Sequence, residues 1–154
     1  MRKPSNLQHH LVVLSTAGKK PYFIQRHRRE AVIDALKWCC ERRGLRLVEY
    51  ALMPSQLCMV AGVRWGYLPD VMDGFATYTA KSLAGRDVAA ALVWQLPPDY
   101  KPLITQEQVD IAIASIAKKP VEWGFVQTAE HYLYCSFHPQ NPMEGWQVAV
   151  TDRS

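Results

Sequence analysis

Leu52-Met53-Pro54-Ser55-Gln56-Leu57-Cys58-Met59-Val60 decides how this chain is read. Proline cannot donate to a strand ladder and serine favours tight bends, so Met53-Pro54-Ser55 is a turn. The apolar runs on either side, Leu45 to Leu52 and Gln56 to Gly62, have strand length and composition. Together they predict a hairpin whose second strand is buried.

Working outward, His9-His10-Leu11-Val12-Val13-Leu14-Ser15-Thr16 predicts a first strand, ended by Ala17-Gly18-Lys19-Lys20-Pro21. From Gln25 to Arg43 the period changes. Ala31, Val32, Ala35, Leu36, Cys39 and Cys40 recur at helical spacing, charged residues lie off that stripe, and Gly44 supplies a stop. Beyond the hairpin, Val63-Arg64-Trp65-Gly66 is a loop. Tyr67 to Leu83 is a second helix closed by Gly85, and Val88 to Gln95 a short strand ended by Pro97-Pro98. A third helix is expected from about Gln106 to Lys118, ended by Pro120, followed by an irregular aromatic tail. The order β-α-β-β-α-β is that of a ferredoxin-like α+β fold, an antiparallel sheet with two helices on one face, here with a C-terminal helix and tail. The 154 residues suit one domain, with a core over about 8–120 and an extension over about 121–154.

Composition excludes several classes. Apolar residues make up 49% and charged residues 21%, as in ordinary globular proteins. No apolar run reaches the roughly 18 residues of a transmembrane helix, so no membrane role is expected. The start, Met1-Arg2-Lys3-Pro4-Ser5-Asn6, leads into a run too short and too polar-flanked for a signal peptide, and the expected location is the cytoplasm. Cys39, Cys40, Cys58 and Cys135 form no CxxC pair and fit neither a zinc ribbon nor a disulfide framework; they are expected to be buried thiols. Net charge is +4, but Arg2, Lys3, Lys19, Lys20, Arg26, His27, Arg28 and Arg29 all precede the first acid, Glu30. A positive front end favours an anionic partner such as nucleic acid; a solvated basic face is the alternative.

Five segments in register resemble the single-tyrosine HUH transposases, of the insertion-sequence and REP-associated type. They are His10-Leu11-Val12-Val13 with Lys20-Pro21-Tyr22-Phe23; Tyr50-Ala51-Leu52-Met53-Pro54-Ser55; Met72 to Lys81; Val93-Trp94-Gln95; and Lys119-Pro120-Val121-Glu122-Trp123-Gly124-Phe125-Val126 followed by Tyr132-Leu133-Tyr134-Cys135-Ser136. The resemblance implies a ferredoxin-like fold acting on single-stranded DNA. In that family a divalent cation, held by two histidines at i and i+2 of one strand and a third ligand, polarises a phosphate that a helix-borne tyrosine attacks.

Each of those positions is changed here. The histidine positions hold Gln56 and Cys58, the tyrosine position Ser115, and the third ligand position Lys119. Glutamine and a lone thiol are poor ligands for Mg²⁺ or Mn²⁺, and an ammonium repels a cation. The expectation is therefore a transposase relative without catalysis, metal or other cofactor, which keeps the binding of single-stranded or hairpin DNA, or of RNA. Candidate contacts are Arg2, Lys3, Lys19, Lys20, Arg26, Arg28, Arg29, Lys81, Arg86, Lys118 and Lys119. Two alternatives stand beside it: a protein-interaction or homodimerisation module that retains only the fold, and an active transposase with a relocated site. Tyr78, Tyr132 and Tyr134 are assigned to packing, and His9 and His10, facing opposite ways on a strand, to roles without metal.

Overall fold

The structure, a computed structural model, describes residues 7–84 and 89–148. Its elements are β1 (Leu7–Ser15), α1 (Arg26–Arg42), β2 (Arg46–Met53), β3 (Gln56–Arg64), α2 (Leu68–Ala84), β4 (Asp99–Leu103) and α3 (Gln106–Glu122). The strands pair antiparallel in the order β2-β3-β1-β4, the ferredoxin-like arrangement expected from the element order.

Period-two alternation divides the sheet into two faces. Val12 and Leu14 of β1 and Leu57, Met59, Ala61 and Val63 of β3 bury against α1 and α2. Cys58 and Val60 point the other way, into a second layer built by Val109, Ala112 and Ile116 of α3 and by Cys135 of the tail. Helix α3 thus covers the face that α1 and α2 leave open. Strand β2 feeds both layers. A register shift between Leu47 and Glu49 lets Leu47, Tyr50 and Leu52 share the α1–α2 face, which strict alternation forbids.

Two segments differ from expectation. Val88 to Gln95 is not a strand: Val88 is outside the described residues, Ala90–Leu92 is a 3-10 turn, and Trp94 makes a single bridge to Thr16. Of its described residues only Val93 and Trp94 enter the core, and Leu92 is exposed. Trp94 is fully buried, its ring 5.1 Å from that of Phe23 and 5.7 Å from that of Phe75, and its indole N–H donates to Thr79 Oγ1 at 2.6 Å. The fourth strand is instead Asp99–Leu103. Pro102 tells against a strand in the sequence, yet an edge strand tolerates proline because one side of it has no ladder to feed.

Nor does Pro120 end the third helix, which continues to Glu122. Proline's φ suits a helix, and so close to the C-terminus it forfeits one bond while Trp123 N–H still reaches Lys119 O at 2.9 Å. The expected stop at Gly85 lies outside the described residues.

The tail is irregular but well tied. It lies along the outer edge of β2, with Leu52 N–H donating to Tyr134 O (2.8 Å), Ser136 N–H to Tyr50 O (3.0 Å) and Val148 N–H to Leu47 O (2.9 Å). Tyr50, buried, donates its hydroxyl to Asn141 Oδ1 at 3.0 Å. Among the described residues no helix is long and apolar enough to cross a membrane.

Candidate nucleic-acid interface

Three of the four positions singled out in the sequence meet at one end of the sheet. Gln56 opens β3 and Cys58 follows on the same face, the one α3 crosses. Helix α3 is set by a capping box: Thr105 Oγ1 accepts from Gln108 N–H, and Gln108 Oε1 accepts from Thr105 N–H. Its buried stripe, Val109, Ala112, Ile116 and Pro120, lies toward the sheet. That orientation brings Lys119 over the start of β3. Lys119 Nζ donates to Gln56 Oε1 at 3.1 Å, and Cys58 Sγ donates to the same oxygen at 2.9 Å. The Gln56 amide nitrogen lies 3.4 Å from Ser15 Oγ. Ser115 sits one turn before Lys119 and spends its hydroxyl on Ala112 O at 2.8 Å.

This arrangement does not suit the divalent cation that the resemblance implies. The one carbonyl oxygen offered by Gln56 already accepts an ammonium and a thiol. Burial pushes the Cys58 thiol up to about 11; the adjacent Lys119 ammonium pulls the other way without cancelling it. A thiol so placed stays protonated at neutral pH, and is neither a good ligand nor a nucleophile. Among the described residues no three His, Cys, Asp or Glu side chains converge on a point.

The basic residues divide. Lys19 and Lys20, both exposed, follow β1 at the same end of the sheet, where Thr16 N–H donates to Ser55 O at 2.9 Å. Lys118, also exposed, is the neighbour of Lys119. The others are committed or distant. Arg26 pairs with Glu30 at 2.8 Å. Arg28 lies 4.0 Å over the Tyr22 ring and donates to Tyr22 O; Arg29 lies 4.7 Å over Tyr134 and donates to Phe23 O and Ile24 O. Lys81 lines a cleft of about 500 Å³ between α1 and α2, on the opposite face, with Trp38, Arg43, Asp70 and Asp73. Arg2, Lys3 and Arg86 lie outside the described residues.

The remaining aromatic and histidine candidates are engaged in packing. Tyr78 stacks on Trp38 with ring centres 4.9 Å apart, and Tyr132 donates its hydroxyl to Leu52 O at 2.7 Å. His10 is buried, and that burial lowers its pKa. The His9 ring lies against Gly62, where any Cβ would meet its Nε2 at 2.8 Å. Trp123 and Phe125, 41% and 48% exposed, lie just beyond Lys119, and neither is among the nucleic-acid contacts expected from the sequence. The available signal was their place off the helical apolar stripe and next to two lysines.

No protein-family model matches the sequence, and no curated protein does. Solved structures do. The chain matches the structure of a REP-associated tyrosine transposase bound to a REP hairpin with a TM-score of 0.66 at 12% identity, over 96% of this chain and 87% of that one. The fold is a transposase fold. A protein of Deinococcus radiodurans R1 assigned as a transposase matches with a TM-score of 0.51 at 16% identity, over 77% of this chain and 97% of that one. At these identities the likeness is one of fold, and it agrees with the group that the sequence motifs resemble. Within that transposase fold, Gln56, Cys58 and Lys119 come together, with Ser115 one turn away, at the positions that the resemblance assigns to the metal and the tyrosine.

Proposed function

We propose that this transposase-fold protein binds single-stranded or hairpin DNA and does not cut it. The observation that carries the reading is the Lys119 ammonium, held 3.1 Å from Gln56 Oε1 at the place where the resemblance calls for a metal ligand. A metal-dependent site binds a phosphate through a cation and activates it. An ammonium supplies charge and hydrogen bonds to the same phosphate without the Lewis acidity that activates it. Ser115, its hydroxyl turned to its own helix, offers no activated nucleophile. The exposed Lys19, Lys20 and Lys118 at the same end provide further phosphate contacts, which need only positive charge. The solved neighbour with a REP hairpin supports a folded single strand as the ligand class.

The test is filter binding and denaturing electrophoresis on end-labelled DNA hairpins with Mg²⁺ or Mn²⁺. Salt-sensitive retention without a covalent adduct is expected. An adduct that survives denaturation refutes the loss of catalysis. Absence of binding at low salt refutes the nucleic-acid reading and favours an interaction module. Lys119→Ala should weaken binding and reduce the slope of log K against log salt by about 0.7, the value of one single-strand phosphate contact.

A further inference from the structure

We infer that Trp123, supported by Phe125, is a base-stacking platform that makes this site selective for unpaired nucleotides; the inference rests on the nucleic-acid reading above. Both rings lie off the buried stripe of α3, at 41% and 48% exposure, where core aromatics are normally covered. They are placed by local geometry. Trp123 caps α3 through its N–H to Lys119 O at 2.9 Å, Gly124 turns the chain at φ +81°, and Phe125 N–H returns to Pro120 O at 3.0 Å. Phe125 leans on Tyr132 with ring centres 6.0 Å apart, which steadies it from behind. The Lys119 ammonium lies over one face of the Trp123 ring, 5.7 Å from its centre. A cation and an exposed ring at that separation match one nucleotide, whose phosphate meets the ammonium while its base meets the indole.

Charge favours this occupant over an apolar protein segment. Lys118 and Lys119 adjoin the rings in sequence, Glu122 is the one acid between residues 111 and 129, and among the described residues no ion pair neutralises either lysine. A stacked base must present a free face. Paired bases inside a duplex do not, so the platform discriminates by strandedness and not by sequence.

The experiment measures the affinity of the full chain for an unstructured single-stranded oligonucleotide and for a blunt duplex of equal length, at several salt concentrations. Trp123→Ala should weaken single-strand binding about ten-fold, the effect of losing one stacked base, and leave duplex binding and the salt slope unchanged. Trp123→Phe, which keeps a ring, should restore most of the loss and so exclude misfolding as its cause. Unchanged single-strand affinity in Trp123→Ala, or equal losses for single strand and duplex, overturns the inference and leaves the proposed function standing. Failure of the unmodified chain to bind either ligand overturns both.

Discussion

Lys119 and Cys58 share one acceptor, the Gln56 carbonyl oxygen, and only Lys119 carries a charge there at neutral pH. On the proposed reading, that charge meets a phosphate without activating it. All three residues could be named in the sequence as altered positions, but their contact could not, because Lys119 lies 63 residues from Gln56. Another buried polar contact also escaped the sequence. Thr79 receives the Trp94 indole N–H at 2.6 Å and donates to the carbonyls of Phe75 and Ala76, both at 3.0 Å. Thr79→Val preserves shape but strands the indole N–H in the core. It should cost about 1–3 kcal/mol in urea unfolding, the penalty of a buried unsatisfied donor. A variant as stable as the parent would show that the contact contributes little.

Among the elements, β2 depends most on its surroundings. It is an edge strand, and such an edge invites pairing with another chain. Here residues 134–148 cover it, through backbone bonds to Leu47, Tyr50 and Leu52 and through Ser136 Oγ, which accepts from Tyr50 N–H at 2.7 Å. Removal of residues 126–154 should expose that edge and the part of the sheet face that Cys135 covers. The shortened chain is expected to self-associate relative to the full chain in size-exclusion chromatography with light scattering, and to melt several degrees lower. An unchanged mass and melting temperature would mean that the tail does not protect the edge. The elements legible in sequence were those with a strong period: β1, the β2–β3 hairpin, α1, α2 and α3. The fourth strand was not. Its five residues include Pro102, and the more apolar run Val88–Gln95 nearby has the composition of a strand, although among its described residues only Val93 and Trp94 are buried.

The whole molecule is a sheet buried on both faces, and a thiol is buried in each layer. Cys39 sits between α1 and the sheet, and Cys58 between the sheet and α3. Burial pushes Cys39 up to about 12 and Cys58 up to about 11. Both pKa values lie above the unfolded thiol value of about 8.5. Their contribution is therefore complete below about pH 8.5, where both states are protonated. It is lost as pH rises toward 11, because the unfolded chain ionises first. Each thiol adds a slope of up to about 1.4 kcal/mol per pH unit in that window. Urea unfolding at pH 8, 9 and 10 under reducing conditions should show the decline. Cys58→Ala should reduce the slope by up to about 1.4 kcal/mol per pH unit whatever it does to stability at pH 8. An equal slope in the variant would show that Cys58 is not held protonated.

Local spacing determined β1, the β2–β3 hairpin and the three long helices, because apolar period is a property of neighbouring residues. It also determined that Gln56, Cys58, Ser115 and Lys119 carry none of the side chains that the resemblance calls for. Only the tertiary structure decided which of those positions touch, which arginines are already spent on carbonyls and rings, and that α3 and the tail close the second face of the sheet. The β2 register shift belongs to the same class, since a single added residue reverses which face each side chain reaches. Such facts depend on contacts between residues far apart in the chain, where local period carries no information.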